Sequence, residues 1–327
     1  MRACLRREYL GKGECGGHHS GAAEFSLALL CRARYPFRMR LFLLVSLTMI
    51  AFAANSILSR LAIGAGHMDA GSFGLLRLAS GAAMLVVLCR MQGLAVRQNL
   101  GASLRGGAAL TLYIAGFSLA YQQLDAGLGA LVLFGVVQVT MFLWGAVRGT
   151  PVSAGQVAGA VLAFLGLAYV VWPDGSGTAP LGASLLMAAA GLGWGIYSVL
   201  GRGAVQPLTA TAVNFLWSTV MFLPVALWLG GSTVSLYGAV LAVLSGAVTS
   251  GMGYALWYRL LPQILPAVAA TVQLSVPVIA ILAGAALLGE AVGLRLVFGS
   301  AAVLGGIALV VLRAPARKGQ AEKRAAK

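Results

Sequence analysis

"GTPVSAGQVAGAVLAFLGLAYVV" occupies residues 149–171, and "GEAVGLRLVFGSAAVLGGIALVV" occupies residues 289–311. The offset is 140 positions, and Gly149, Val152, Val157, Gly159, Gly166, Ala168, Val170 and Val171 recur as Gly289, Val292, Val297, Gly299, Gly306, Ala308, Val310 and Val311. A second pair stands 142 positions apart: "NSILSR" at 55–60 and "YSVLGR" at 197–202 both read Ser, aliphatic, Leu, small, Arg. Two matches at nearly one offset, at equivalent places in two halves, indicate a duplicated chain. Gly159 and Gly166 are seven apart, two helical turns, so both face one side, as do Gly299 and Gly306. Small residues on one face let helices approach closely in lipid.

Working outward, 60% of the 327 residues are apolar and 9% are charged. A soluble domain has about 45–50% apolar and about 25% charged residues, so the class is membrane protein. A spanning helix needs about 20 mostly apolar residues. Ten such runs are expected: 41–62, 71–89, 105–123, 127–146, 153–172, 181–200, 209–229, 236–257, 267–288 and 293–312. "WPDGSGTAP" at 172–180 divides them into two sets of five, since Pro, Asp and Gly do not continue a helix there. An odd number of helices per repeat inverts the second copy, which puts Arg60 and Arg202 at opposite surfaces. The expected fold is all-α, ten transmembrane helices in two inverted five-helix units. Repeat 1 covers 39–172 and repeat 2 covers 179–312.

The net charge is +15, yet its placement excludes a nucleic-acid surface. Eight of the 23 basic residues lie before Leu41 and six lie from Arg313 onward; most others punctuate apolar runs, as topology signals do. With a cytoplasmic N-terminus, the inner side receives Arg90, Arg97, Arg105, Arg148, Arg202, Arg259 and the basic tail 313–327. The outer side receives Asp69, Asp125 and Asp174, with Arg295 as the misfit. Both termini are therefore expected in the cytoplasm of a multi-pass protein of the bacterial inner (plasma) membrane. Residues 1–38 are polar and rich in Arg and Gly, and read as a disordered tail or as sequence upstream of a true start at Met39. "AFA" at 51–53 resembles a signal-peptidase site, but the apolar run continues past it, so cleavage is not expected. Cys15, His18 and His19 in the tail read as tail residues rather than as a metal site.

Beyond the repeats themselves, the sequence resembles the EamA-type transporters of the drug/metabolite transporter superfamily. The residues that carry the resemblance are "LSVPVIAILAGAALLGE" at 274–290, "LGASLLMAAAGLGWGIYSVLGR" at 181–202 and "FGLLRLASGAAML" at 73–85 with Arg77. The resemblance covers roughly 41–312. It implies two EamA repeats, ten helices and export of amino acids or related metabolites. The first repeat departs from the pattern: the counterpart of Glu290 is Thr150, and Val136 and Val137 stand around the place of Pro277.

Polar and aromatic residues inside apolar helices are the candidate lining of a substrate site: Asn55, Ser56, Arg77, Tyr113, Gln138, Trp194, Tyr197, Asn214, Tyr254, Gln273 and Ser275. Each also has a plain reading as an interhelical hydrogen-bonding or packing residue, because a buried amide must find a partner in lipid. Arg77 lies roughly 10 Å below the outer boundary, at 1.5 Å per residue. Two readings stay open for it: attraction of a substrate anion, or snorkelling and bonding to backbone carbonyls. Pro277 is a hinge or a static kink. Glu290 is a coupling group or a helix-end structural residue. Tyr121 and Trp257, near helix ends, read as interfacial anchors.

No helix interior holds an acid, and proton-coupled carriers usually place Asp, Glu or His in the membrane. Facilitated diffusion or exchange is the favoured mode. The chain has no HExxH, GxSxG or Walker A run, so no enzyme is expected, and no cofactor. The partners are the lipid bilayer and a small-molecule substrate, with no nucleic acid; a homodimer is one assembly left open. The function read is a carrier of small metabolites, working by alternating access between inverted repeats. The alternatives are a lipid or nucleotide-sugar carrier, or a non-transporting sensor or scaffold.

Overall fold

The computed structural model describes residues 21–149, 152–172, 180–202, 204–229, 231, 233–264 and 266–312. The first 20 residues with Cys15, His18 and His19, Thr150, Asp174 and the tail from Arg313 lie outside the described residues. The chain divides into two units, Met1–Leu43 and Leu44–Lys327. The first holds the beginning of one long helix, and the second holds the rest of that helix and all the others.

The helices are α1 (Gly21–Ser59, continued by a π-turn over Arg60–Gly64), α2 (Ala70–Met91), α3 (Leu100–Ala120), α4 (Ala126–Val147) and α5 (Ala154–Val171). In the second half they are α6 (Leu181–Gly201), α7 (Pro207–Leu229), α8 (Leu236–Leu260), α9 (Pro266–Gln273 and Ser275–Leu288) and α10 (Leu294–Leu312). Among the described residues, nine of these are long and apolar enough to span a membrane. The tenth, α3, is diluted by Arg105 and several glycines but packs in the same bundle. The protein is an all-α multi-pass membrane protein.

Local chemistry sets the helix ends. Asp69 accepts from Ser72 N at 2.8 Å, Ser153 and Gln156 form a capping box, and Ser235 accepts from Gly238 N at 3.0 Å. Each satisfies an orphan N–H of a first turn. Arg295, the misfit of the charge pattern, donates to the carbonyls of Tyr169, at 2.9 Å, and Trp172. It therefore serves the C-terminal end of α5, where a cation is favoured.

The inversion is visible in the packing of α5 on α10. A Cβ added at Gly159 would lie 2.6 Å from the Gly306 carbonyl oxygen, and one added at Gly306 would lie 2.5 Å from the Gly159 oxygen. Near the other end, a Cβ on Gly299 would stand 3.4 Å from the Gly166 oxygen. Gly299 is the counterpart of Gly159, and Gly306 of Gly166. Each position thus meets the counterpart of the other, with early residues facing late ones. Such reciprocity belongs to a two-fold contact, here between antiparallel helices. The pairs α2 with α7 and α4 with α9 likewise pack each helix on its own counterpart.

Two irregular segments interrupt the bundle. Residues Leu244–Met252 of α8 are a π-helix, whose wider turn brings Ser245, Thr249 and Ser250 to one side. Helix α9 breaks at Leu274. Pro277 lacks the N–H that would bond the Gln273 carbonyl four residues back, and the break falls beside that residue.

Candidate functional site

A cavity lies among α1, α3, α4, α6 and α8, lined by Phe52, Asn55, Ser56, Tyr113, Phe117, Leu133, Phe134, Trp194 and Tyr254. Its empty space is about 310 Å³ including the open mouth. Four of the rings are repeat-related. The 142-residue offset that relates Ser56 to Ser198 also relates Phe52 to Trp194. One position less relates Tyr113 to Tyr254. Tyr113 lies 5.1 Å from Trp194, and Phe52 lies 5.6 Å from Tyr254, ring centre to ring centre. These are the same contact made twice, each time between the two repeats. Trp194 closes the box against Tyr254 at 4.8 Å and Phe52 at 6.4 Å.

Behind this box is a buried polar network. Asn55 Oδ1 accepts from Ser245 Oγ at 2.8 Å, Thr249 Oγ1 at 2.6 Å and Ser250 Oγ at 3.3 Å. The π-turn of α8 makes this possible by gathering the three hydroxyls. Arg77 is fully buried. Its Nε donates to Ser250 Oγ at 3.2 Å and its Nη2 to the Tyr113 hydroxyl at 2.8 Å. Its guanidinium carbon stands 4.7 Å from the Phe117 ring centre and 5.4 Å from that of Tyr113. Nη1 is buried with no hydrogen-bond partner, and both ion pairs among the described residues belong to Arg60. A guanidinium therefore sits behind two cavity rings with no carboxylate to balance it. It neither snorkels nor donates to a backbone carbonyl.

A second cluster lies at one end of the bundle. Arg60 Nη2 lies 3.3 Å from Asp125 Oδ1, and its Nε lies 3.6 Å from Glu290 Oε1. The Glu290 carboxylate accepts from Ala126 N at 2.8 and 3.0 Å and from Gly127 N at 3.5 Å. A carboxylate there meets the positive end of α4. Gly289 stands at φ +68°, the left-handed turn that returns the chain after α9. A Cβ at Gly284 would occupy the place of the carboxylate. Burial pushes the Glu290 carboxyl above its ordinary 4.5 and Asp125 adds to this, while the Ala126 and Gly127 N–H groups and Arg60 pull it down.

Of the residues singled out from sequence, the cavity brings together Asn55, Ser56, Tyr113, Trp194 and Tyr254. Arg77 stands one layer back, and Tyr197 stacks on Trp194 at 5.4 Å. Asn214 faces α3, against Gly106. Gln138, Gln273 and Ser275 are partly buried and do not line the cavity; the Ser275 hydroxyl donates to Val272 O at 2.7 Å. Pro277 is buried beside the break in α9. Tyr121 and Trp257 are corrections. Both are buried rather than interfacial, at 0% and 7% exposure. The Tyr121 hydroxyl donates to Ala126 O at 3.3 Å, and Trp257 meets Phe52 edge-on at 6.0 Å. Sequence reading missed Phe52, Phe117, Leu133, Phe134 and the three hydroxyls of α8. Only Phe52 had a signal, as the repeat counterpart of Trp194.

Comparison with known proteins agrees with this architecture. Residues 181–312 match the EamA-like transporter family. An uncharacterized protein of Pseudomonas aeruginosa is 48% identical over 274 residues, which cover 83% of this chain and 94% of that one. An uncharacterized transporter of Archaeoglobus fulgidus is 30% identical over 166 residues, 49% of this chain and 58% of that one. A protein of known crystal structure superposes with a TM-score of 0.58 at 21% identity, covering 82% of this chain and 97% of its own; that likeness concerns the fold.

Proposed function

We propose, from the premise that this chain belongs to the EamA-like transporter family of the drug/metabolite transporter superfamily, that it carries small organic metabolites by alternating access, amino acids or related compounds first among them. The observation that supports this most directly is the aromatic box. It is built from both repeats, lies among helices that inversion makes equivalent, and has Arg77 behind it without a counter-ion. Alternating-access carriers place their substrate site between inverted repeats. The rings suit an apolar body, and an unbalanced guanidinium favours an anionic group such as a carboxylate. The single guanidinium behind the box supports a solute with one carboxylate over a nucleotide-sugar with its several phosphate charges.

The charge pattern supports an inner-membrane orientation with both termini in the cytoplasm. The end holding Arg60, Asp125 and Glu290 then faces outward. Export is the expected direction, by exchange or facilitation, since among the described residues no Asp or Glu lies within a span. Counterflow tests the reading. Proteoliposomes loaded with an amino-acid mixture, given one labelled species outside and no pH gradient, are expected to accumulate that species saturably. Silence across amino acids and related carboxylates would remove this substrate class.

A further inference from the structure

We propose that Glu290 is a gate latch: acting through Arg60 and the first turn of α4, it holds the cavity shut at its end of the bundle, while its repeat counterpart at the opposite end is Thr150. The carboxylate joins three helices. It belongs to the turn after α9, accepts from Ala126 N and Gly127 N of α4, and lies 3.6 Å from Arg60 at the end of α1. Two of those helices carry the cavity wall. Leu133 and Phe134 stand about two turns along α4 from the capped N–H groups, and Phe52, Asn55 and Ser56 stand one to two turns from Arg60. Arg60 extends the connection to the α3–α4 turn, through Asp125 at 3.3 Å and the Tyr121 carbonyl at 3.5 Å. Freeing the carboxylate therefore removes the bridge that ties α1, α4 and the turn after α9 together beside the cavity, and leaves the Arg60–Asp125 contact as the remaining tie between α1 and α4.

The inequality of the two ends comes from the repeat. Arg202 is the counterpart of Arg60, and Gly149, at φ +79°, repeats the left-handed turn of Gly289. The residue after Gly149 is Thr150, where Glu290 follows Gly289. The loops at that end, 92–99, 148–153, 202–206 and 261–265, contain no carboxylate. The duplicated geometry is kept, and the charged element was kept or acquired on one side only. Glu290 acts here as a positioning residue, since it does not line the cavity.

The test is thiol labelling of the full chain carrying Ser56→Cys, with the four native cysteines replaced by serine. It uses sealed right-side-out and inside-out membrane vesicles and a membrane-impermeant reagent. Glu290→Ala is expected to label about tenfold faster from the latch end, given the charge-assisted bonds removed, and more slowly from the other end. Gly284→Ala should do the same with the carboxylate still present, because its Cβ takes the carboxylate's place. Gly293→Ala, which has open space around its Cβ, should label at the parent rate. Parent rates in both latch variants would overturn the proposal, and so would faster labelling from both ends, which marks loosening rather than gating. Should Glu290→Ala fail to fold, Gly284→Ala decides. The proposal rests on the carrier reading and on its orientation, and the outcomes are separable. A wrong orientation exchanges the two vesicle types, and a failed carrier reading shows as silent counterflow by the unmodified chain.

Discussion

Arg77 carries the sharpest prediction at the scale of single residues. Its guanidinium holds two hydroxyls, Ser250 and Tyr113, and leaves Nη1 unpaired in a dry setting. Arg77→Ala is expected to raise the counterflow KM for a carboxylate substrate at least about tenfold while changing the maximal rate less. It should also lower stability by about 1–3 kcal/mol as the two hydroxyls lose a charged donor. Arg77→Lys keeps the charge but cannot reach both hydroxyls from one planar fork, so it should recover part of the affinity. Unchanged affinity in Arg77→Ala would remove the substrate-anion role. The polar half of this site was legible because Asn55, Arg77 and Tyr113 are costly in an apolar helix and stand out there. The apolar half was not: Phe117 and Phe134 look like any lipid-facing Phe until packing turns them inward. Asp125 was placed only as a loop acid, since its partner Arg60 is 65 residues away.

At the scale of elements, the contact between α5 and α10 depends on missing side chains. Backbone approaches backbone at Gly159 and Gly306, and the atoms nearest an added Cβ on Gly306 are the Gly159 oxygen and the Ala163 nitrogen, both at 2.5 Å. Neither can rotate away, so Gly306→Ala forces the helices apart. The expected loss is about 1–3 kcal/mol, the usual range for overpacking, read as a lowered melting temperature in lipid nanodiscs. Gly305→Ala, with nothing within 4 Å of its added Cβ, is the matched control. Equal melting temperatures would mean that this helix pair does not limit stability. The seven-residue glycine spacing revealed this interface from sequence, because helical periodicity alone puts both glycines on one face. The π-turn of α8 had no such signal. "LSGAVTSGM" at 244–252 has small residues at ordinary spacing, and the wide turn is where α8 meets Asn55 and the Arg77 carbonyl. The break in α9 was half legible: Pro277 predicted a disturbance, and the structure places it at Leu274.

For the whole molecule, the question is which end faces the cytoplasm. Alternating helix directions put Arg90, Arg97, Arg148, Arg202 and Arg259 at one end of the bundle, with Arg105 a turn into α3 at that same end. Asp69, Asp125 and Glu290 share the opposite end with Arg60 and Arg295. The two cations at that acidic end are engaged locally, Arg60 with carboxylates and Arg295 with carbonyls of α5. They are structural rather than topological charges, which explains why the charge pattern looked imperfect. The remaining arginines support the proposed orientation, since short cytoplasmic loops tend to be basic. Single cysteines at the exposed positions Gln123 and Arg97 test this in intact cells whose native cysteines are replaced. An impermeant reagent is expected to reach the cysteine at 123 directly, and the one at 97 only after the membrane is permeabilised. The reverse pattern would turn the protein over, and the Glu290 latch would then close the cytoplasmic gate.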